Sequence, residues 1–222
     1  MSGYSVFQFD ETKVKNDARF LSQLSRFYCN IWRYDPNFAE YKQCPNCSRY
    51  FSLNYCETNL SCDKCNIVLV EAWDEKSVAE TICDLVSLKN NFFGAVALLP
   101  DTSDTIIGFT WGYNKKLSEI TDETVFKAVN NSTGYVPYFN EIASDPSFRH
   151  KGVGSSLCKM LVQWMKHTNP SLPGYLHTHE NSPARRLFEK AGYRMLCYDE
   201  ELGGGRIYMS IDKCGNFSPE NL

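Results

Sequence analysis

Four cysteines constrain this chain more than any other residues do. The segment "CPNCSRYFSLNYCETNLSCDKC" carries two Cys-x-x-Cys pairs, Cys44 with Cys47 and Cys62 with Cys65, separated by fourteen residues. Each pair can turn two thiolates toward one point. The intervening "SRYFSLNY", rich in strand formers, lets a hairpin bring the second pair beneath the first. The spacing predicts a tetrahedral four-sulfur shell for zinc held by Cys44, Cys47, Cys62 and Cys65; redox thiols or disulfides are the competing use of the same residues. A shell of four cysteines keeps no open coordination position, so such a metal is structural rather than catalytic. Cys56 lies between the pairs and reads as an unpaired thiol on the hairpin or as a substitute for one of the four. The charges from Cys44 to Cys65 are Arg49 and Lys64 against Glu57 and Asp63. That balance releases few counterions from a phosphate backbone, which argues against nucleic acid and for a structural clip or a protein-contact knob.

The remaining five of the 10 cysteines are scattered singly, as suits a reducing compartment. With 222 residues and a net charge of -3, the chain is expected to form one main domain over residues 1–222, with 44–65 as an insert. The start "MSGYSVFQFD" has no basic stretch followed by an apolar one, and the longest apolar run, "FFGAVALL", is too short to cross a bilayer. A cytoplasmic protein with no membrane segment is expected.

Hydrophobic periodicity sets out the elements. "YSVFQFD" reads as a strand, and "DARFLSQLSRFYCNIW" as a helix with Phe20, Leu21, Leu24, Phe27 and Tyr28 on one face. After the cysteine segment, "DEKSVAETICDLVSLKN" repeats the helical spacing through Val78, Ile82, Leu85 and Val86. "NFFGAVALLP" and "DTIIGFTWGYN" read as an antiparallel hairpin, with a short helix possible at "DETVFKAV". The strand "GYVPYFNEIAS" follows, then a long helix, strand "GYLHTH", helix "NSPARRLFEKAG" and strands "YRMLCYD" and "RIYMSID". This order predicts an α/β fold, a mixed central sheet flanked by helices with the zinc hairpin inserted between the first two.

The stretch "DPSFRHKGVGSSLCKMLVQWM" carries the second chemical signal. The helix is expected to begin near Gly152, because Val153, Leu157, Met160, Leu161, Trp164 and Met165 then share one face. Gly152 and Gly154 remove side chains where the unpaired amides of the first turn point outward, and Arg149, His150 and Lys151 add positive potential. Amides and helix dipole together form an anion site; a tight turn with solvated basic residues is the alternative. In "NSPARRLFEKAGY", Asn181 or Ser182 can cap a helix, Pro183 suits its first position, and Gly192 closes it.

Arg149-x-x-Gly152-x-Gly154, followed by Asn181, Ala184, Leu187, Phe188, Gly192 and Tyr193, resembles the GNAT superfamily of acyl-CoA-dependent N-acetyltransferases. The resemblance is specific from about Gly134 to Tyr193. It implies a GNAT-type fold in which Arg149, His150, Lys151, Gly152, Val153, Gly154 and Ser155 hold the pyrophosphate of acetyl-CoA. Ile142, Ala143 and Ser144 would pair with the pantetheine arm, which Asn181 and Phe188 flank. An amine acceptor, a small molecule or a protein, attacks the thioester directly, and something must first deprotonate it, since an alkylammonium has a pKa of about 10. Glu141 is the candidate base, with an ordinary strand-end carboxylate as its other reading. His177 and His179, two apart on one strand face, could relay the proton or be satisfied polar residues. Phe188 stands where many members have a tyrosine that protonates the leaving thiolate. That departure leaves open an inactive acetyl-CoA-binding sensor, as the insert leaves open a zinc-ribbon interaction module. The resemblance also implies that the zinc hairpin borders the acceptor site or docks a macromolecular substrate.

Overall fold

The apolar strands and amphipathic helices read from the sequence are present in a computed structural model that describes residues 3–34, 40–100, 105–200 and 205–222. In chain order the elements begin with β1 (Ser5–Phe9), α1 (Glu11–Asn16), α2 (Ala18–Tyr34), β2 (Lys42–Gln43), β3 (Tyr50–Phe51), α3 (Leu53–Thr58), β4 (Val70–Glu71) and α4 (Glu75–Leu88). They continue with β5 (Asn90–Leu99), β6 (Thr105–Lys116), α5 (Glu123–Val129), β7 (Tyr135–Ser144), α6 (Val153–Thr168), β8 (Gly174–His179), α7 (Arg185–Ala191), β9 (Arg194–Tyr198) and β10 (Arg206–Ile211). The chain divides into two compact units, Met1–Thr12 with Leu85–Leu222, and Lys13–Asp84. Among the described residues, no helix is long and apolar enough to cross a membrane.

The larger unit is built on a seven-stranded sheet of order β1-β5-β6-β7-β8-β10-β9. Every neighbouring pair is antiparallel except β7 and β8, which run parallel, so the sheet is mixed. α6 lies across one face because β6 offers it glycine: a Cβ on Gly108 would come within 2.9 Å of both Leu157 and Val153. Leu157, Leu161 and Met165 of α6 are fully buried over Ala95, Ala97, Ile107 and Phe139, with Phe188 and Tyr193 in the same core. Each such aliphatic side chain contributes about 1.5–3 kcal/mol by leaving water. On the opposite face Val125 and Val129 of α5 bury against Val136 and Tyr175.

In the smaller unit, β3-β2-β4 form a short sheet. α2 is tied to the segment after it by Arg33, whose guanidinium donates to the Trp73 carbonyl at 3.0 Å and pairs with Glu71 at 3.2 Å. The Tyr28 ring meets Trp73 edge-on.

Two local expectations need correction. The run "SRYFSLNY" is not all strand: after β3 the Ser52 hydroxyl accepts the Tyr55 N–H at 3.3 Å and caps α3, so a local side-chain bond overrides strand propensity. α7 starts at Arg185 rather than beside Asn181, because residues 182–185 first make a tighter turn, with the Arg185 N–H donating to the Ser182 carbonyl at 3.0 Å. Gly192 closes α7 at φ 112°, the left-handed backbone that glycine adopts without a Cβ penalty.

Candidate active site and metal centre

The two cysteine pairs are built alike. In the first, Cys44 N–H donates to the Arg49 carbonyl and Ser48 N–H to the Cys44 carbonyl, both at 2.9 Å. In the second, Cys62 N–H donates to the Ile67 carbonyl and Asn66 N–H to the Cys62 carbonyl, again at 2.9 Å. Ser48 and Asn66 take the same left-handed backbone, with φ 57° and 53°. An Arg49–Asp63 ion pair of 2.8 Å joins the two turns. The sulfurs of Cys44, Cys47, Cys62 and Cys65 all lie within 4.8 Å of one another, and Cys47 Sγ is 3.7 Å from Cys62 Sγ. A metal–sulfur bond of about 2.3 Å gives a tetrahedron edge of about 3.8 Å, so the four sulfurs fit a zinc ion. Burial works to raise the Cys44 thiol, but hydrogen bonds from the Cys47 and Asn46 amides, with those of the neighbouring Cys47 and Cys62 sulfurs, bring it down below the usual thiol range. Cys56 lies outside the cluster, on α3, packed against the small core of Cys44, Phe51, Cys62 and Leu69.

The glycine-rich turn sits at the start of α6. Asp145 caps a short turn at Pro146–Phe148, accepting the Ser147 N–H at 2.7 Å, and turns the chain out of β7. His150 follows at φ 62° and Gly152 at φ 86°, and Gly152 occupies the N-cap of α6 with no side chain to cap it. The first amides of a helix have no intrahelical acceptor, so they point outward around a backbone made close by glycine. Arg149, His150 and Lys151 are exposed around this mouth, and Lys151 Nζ lies 4.6 Å from the centre of the Phe148 ring. The Val153 side chain is buried in the core, and a Cβ on Gly154 would meet Leu187 of α7 at 3.3 Å.

β7 and β8 leave a wedge between them. Their ladder has two residue pairs, Tyr138 with Tyr175 and Phe139 with Leu176, and does not continue beyond them among the described residues. β7 itself continues along β6 to Ser144. Ile142 packs against the core, while Ala143 and Ser144 are half-buried at the strand's end. Because the two strands are parallel, their carboxyl ends open toward the same edge, where α6 begins. Asn181 stands exposed just past β8, its N–H donated to His179 Nδ1 at 3.0 Å. Phe188 is 3% exposed, its ring edge-on to Phe139 with centres 4.9 Å apart; it belongs to the core.

A bulge distinguishes the two faces of β7. Trp111 of β6 opposes Glu141 and Gly112 opposes Phe139, which leaves Asn140 as the extra residue. Burial first, and then the charges of Glu119 and Glu141, push the Tyr113 phenol up to about 12. The Tyr138 phenol is pushed up too, by burial first and then by the neighbouring Tyr113 and Glu141. Tyr138 packs on Tyr175 with ring centres 4.7 Å apart, and Lys115 Nζ lies 5.0 Å from the Tyr138 ring centre.

Further along this face His177 stacks on Tyr208, directly opposite in the ladder, with ring centres 4.5 Å apart. Its Nε2 is 3.1 Å from Asp199, which is only 5% exposed. That contact is within ion-pair range but not aligned as a hydrogen bond. Burial holds His177 below its ordinary value, and the Asp199 charge offsets only part of this. Sequence reading names His177 and His179 but misses Asp199 and Tyr208. They reach His177 through strand register, for which residue spacing carries no signal.

The profile of the acetyltransferase (GNAT) family matches residues 54–193, more than half of the chain. Among solved structures, Arabidopsis thaliana NAA60 in complex with a bisubstrate analogue aligns with a TM-score of 0.54 at 13% identity, over 93% of this chain and 97% of that one. The same protein in complex with acetyl-CoA aligns with a TM-score of 0.51 at 12% identity, over 94% and 97%. The NatC complex bound to Gag peptide and CoA gives a TM-score of 0.52 at 14% identity, over 94% and 97%. No curated protein matches. At these identities the solved structures speak for the fold, and the family profile speaks for descent: the chain belongs to the acetyltransferase (GNAT) family.

Proposed function

We propose that this protein is an acetyl-CoA-dependent N-acetyltransferase acting on a primary amine. The observation that carries the reading is the wedge between β7 and β8, which opens toward the uncapped, glycine-started end of α6. In this reading the amides of Val153, Gly154 and Ser155, with Arg149, His150 and Lys151, hold the pyrophosphate. The backbone of Ile142, Ala143 and Ser144 lines the arm, with Asn181 at the mouth. Glu141 takes a proton from the acceptor ammonium, and the neutral nitrogen attacks the thioester carbonyl; the C–S bond then breaks, the thiolate leaves with the electron pair, and the nitrogen loses its surplus proton to water to give the neutral amide. Phe188 has no proton to give, and a thiol pKa of about 8.5 lets water suffice. The tyrosine-rich face around Glu141 suits a cationic acceptor, since aromatic faces and carboxylates both attract ammonium groups.

The four-cysteine cluster fits structural zinc: Cys44, Cys47, Cys62 and Cys65 would hold it and organise residues 44–65, an insert in a single acetyltransferase domain, with no part in the transfer. The five cysteines scattered singly along the chain suit a reducing compartment, so we assign the protein to the cytoplasm.

The test is release of free thiol from acetyl-CoA across a panel of small amines, lysine peptides and peptide amino termini. Turnover with one class is expected, with kcat about 10²-fold lower in Glu141→Gln and acetyl-CoA affinity unchanged. A second reading, acetyl-CoA binding without turnover, draws on the missing hydroxyl at Phe188. Tight binding with no thiol release from any acceptor would favour it.

A further inference from the structure

Tyr4 precedes β1, far in sequence from the glycine-rich turn, yet its hydroxyl stands beside it. The Tyr4 oxygen lies 2.9 Å from Ser156 Oγ. A Cβ built on Gly152 would come within 3.2 Å of the same oxygen. The ring is half-buried and packs against the main core, so the hydroxyl is held in place rather than swinging through solvent. Ser156 sits one turn into α6, its N–H donated to the Gly152 carbonyl at 2.9 Å. The phenol therefore reaches Gly152, the N-cap of α6, where the missing side chain lets a ligand approach the helix end.

We propose that Tyr4 is a cosubstrate-binding residue whose O–H donates to a phosphate oxygen of acetyl-CoA held at the start of α6. This rests on the acetyl-CoA reading given above. The exchange is chemically even: the hydroxyl gives up its neutral partner, Ser156, for a charged acceptor, and hydrogen bonds to charged groups are the stronger kind. A phenol also suits the position because it donates without adding charge, and Arg149, His150 and Lys151 already supply positive potential. The role of Tyr4 is then orientation: it selects one phosphate oxygen from one side while the backbone amides act along the helix axis.

The experiment is calorimetric titration of the full chain with acetyl-CoA and, separately, with S-acetylpantetheine, which has the thioester and arm but no phosphate. Tyr4→Phe is expected to weaken acetyl-CoA about tenfold, the loss of one hydrogen bond to a charged acceptor, and to leave S-acetylpantetheine unchanged. Ser156→Ala, which removes the hydroxyl's neutral partner, is expected to leave acetyl-CoA affinity within about twofold. If Tyr4→Phe binds acetyl-CoA like the wild type while Arg149→Ala binds it more weakly, Tyr4 is excluded and the phosphate site stands. Should Tyr4→Phe and Ser156→Ala lower affinity equally, with matching drops in Tm, the pair is a strand-to-helix clasp and the proposal fails. A wild type that does not bind acetyl-CoA at all overturns the functional reading beneath it.

Discussion

The cysteine cluster and the start of α6 are both turns that repeat a tight backbone shape, but they are built from opposite materials. At the cluster, four side chains face inward and the backbone serves to aim them: each turn is shaped by backbone hydrogen bonds at its first cysteine, Cys44 or Cys62, and by one left-handed residue, Ser48 or Asn66. At α6, side chains are removed and the backbone itself faces outward, with Gly152 at φ 86° and no capping group. A site made of side chains fails when one atom type changes. A site made of amides fails when something is added to it.

The sharpest test of that contrast is Cys62→Ser. A core of Cys44, Phe51, Cys62 and Leu69 is too small to hold a fold unaided, and structural zinc contributes on the order of 10 kcal/mol. Metal content should fall from one ion per chain to none, and circular dichroism with thermal melting should report loss of structure in the Lys13–Asp84 unit. A chelator should reproduce this in the wild type. Retention of a full-strength melt would show that the cluster is not a metal clip.

Next is Gly152→Asp, which puts a Cβ and a negative charge where the amides point, in a backbone that side chains rarely adopt. Acetyl-CoA affinity should fall at least about 100-fold, whereas Arg149→Ala should cost about tenfold or less because an exposed charge acts through screening water. Equal losses would mean that charge rather than backbone makes the site, and would break the comparison.

The His177–Asp199 pair tests whether a side-chain cluster on the sheet behaves like the cysteine cluster. Burial lowers His177 from 6.5, so as pH falls the unfolded chain takes the proton first. Its contribution to stability is complete above about pH 6.5 and is lost as pH falls through the folded value. Urea midpoints measured from about pH 7.5 down to about pH 5.5 should therefore decline, and less steeply in His177→Gln. An unchanged slope would assign the proton uptake to other groups.

The smallest effect belongs to Ser48→Gly and Asn66→Gly. Removing the Cβ at left-handed positions should raise stability by about 0.5–1 kcal/mol each in the zinc-loaded protein, read as a shift in urea midpoint. Destabilisation would mean that these side chains do more for the turns than their backbone costs.

Much of the fold was legible because it rests on local rules. "GYLHTH" coincides with β8, and the apolar face of α6 buries Leu157, Leu161 and Met165 as its spacing predicts. The cysteines were legible by type and spacing, and the structure brings all four together. What escaped depends on contacts far apart in sequence. The extra residue at Asn140, the two-pair ladder between β7 and β8 and Asp199 beside His177 are matters of strand register, and Tyr4 beside Gly152 is one of tertiary packing; no window of residues encodes either. α3 escaped for the opposite reason: one hydroxyl, on Ser52, outweighed the strand preference of its neighbours.

The short ladder at Tyr138 and Phe139 has a mechanical consequence. Counted by strands the sheet has seven, but hydrogen bonds divide it into a blade of four, β1-β5-β6-β7, and a blade of three, β8-β10-β9, riveted at two residue pairs. Apolar packing also spans that seam, since α6 and Phe188 share one core with Phe139 of β7 and Leu176 of β8. A side chain such as Phe139, placed at the rivet and buried to 1% exposure, thus sets how the blades are angled as well as how the core is filled.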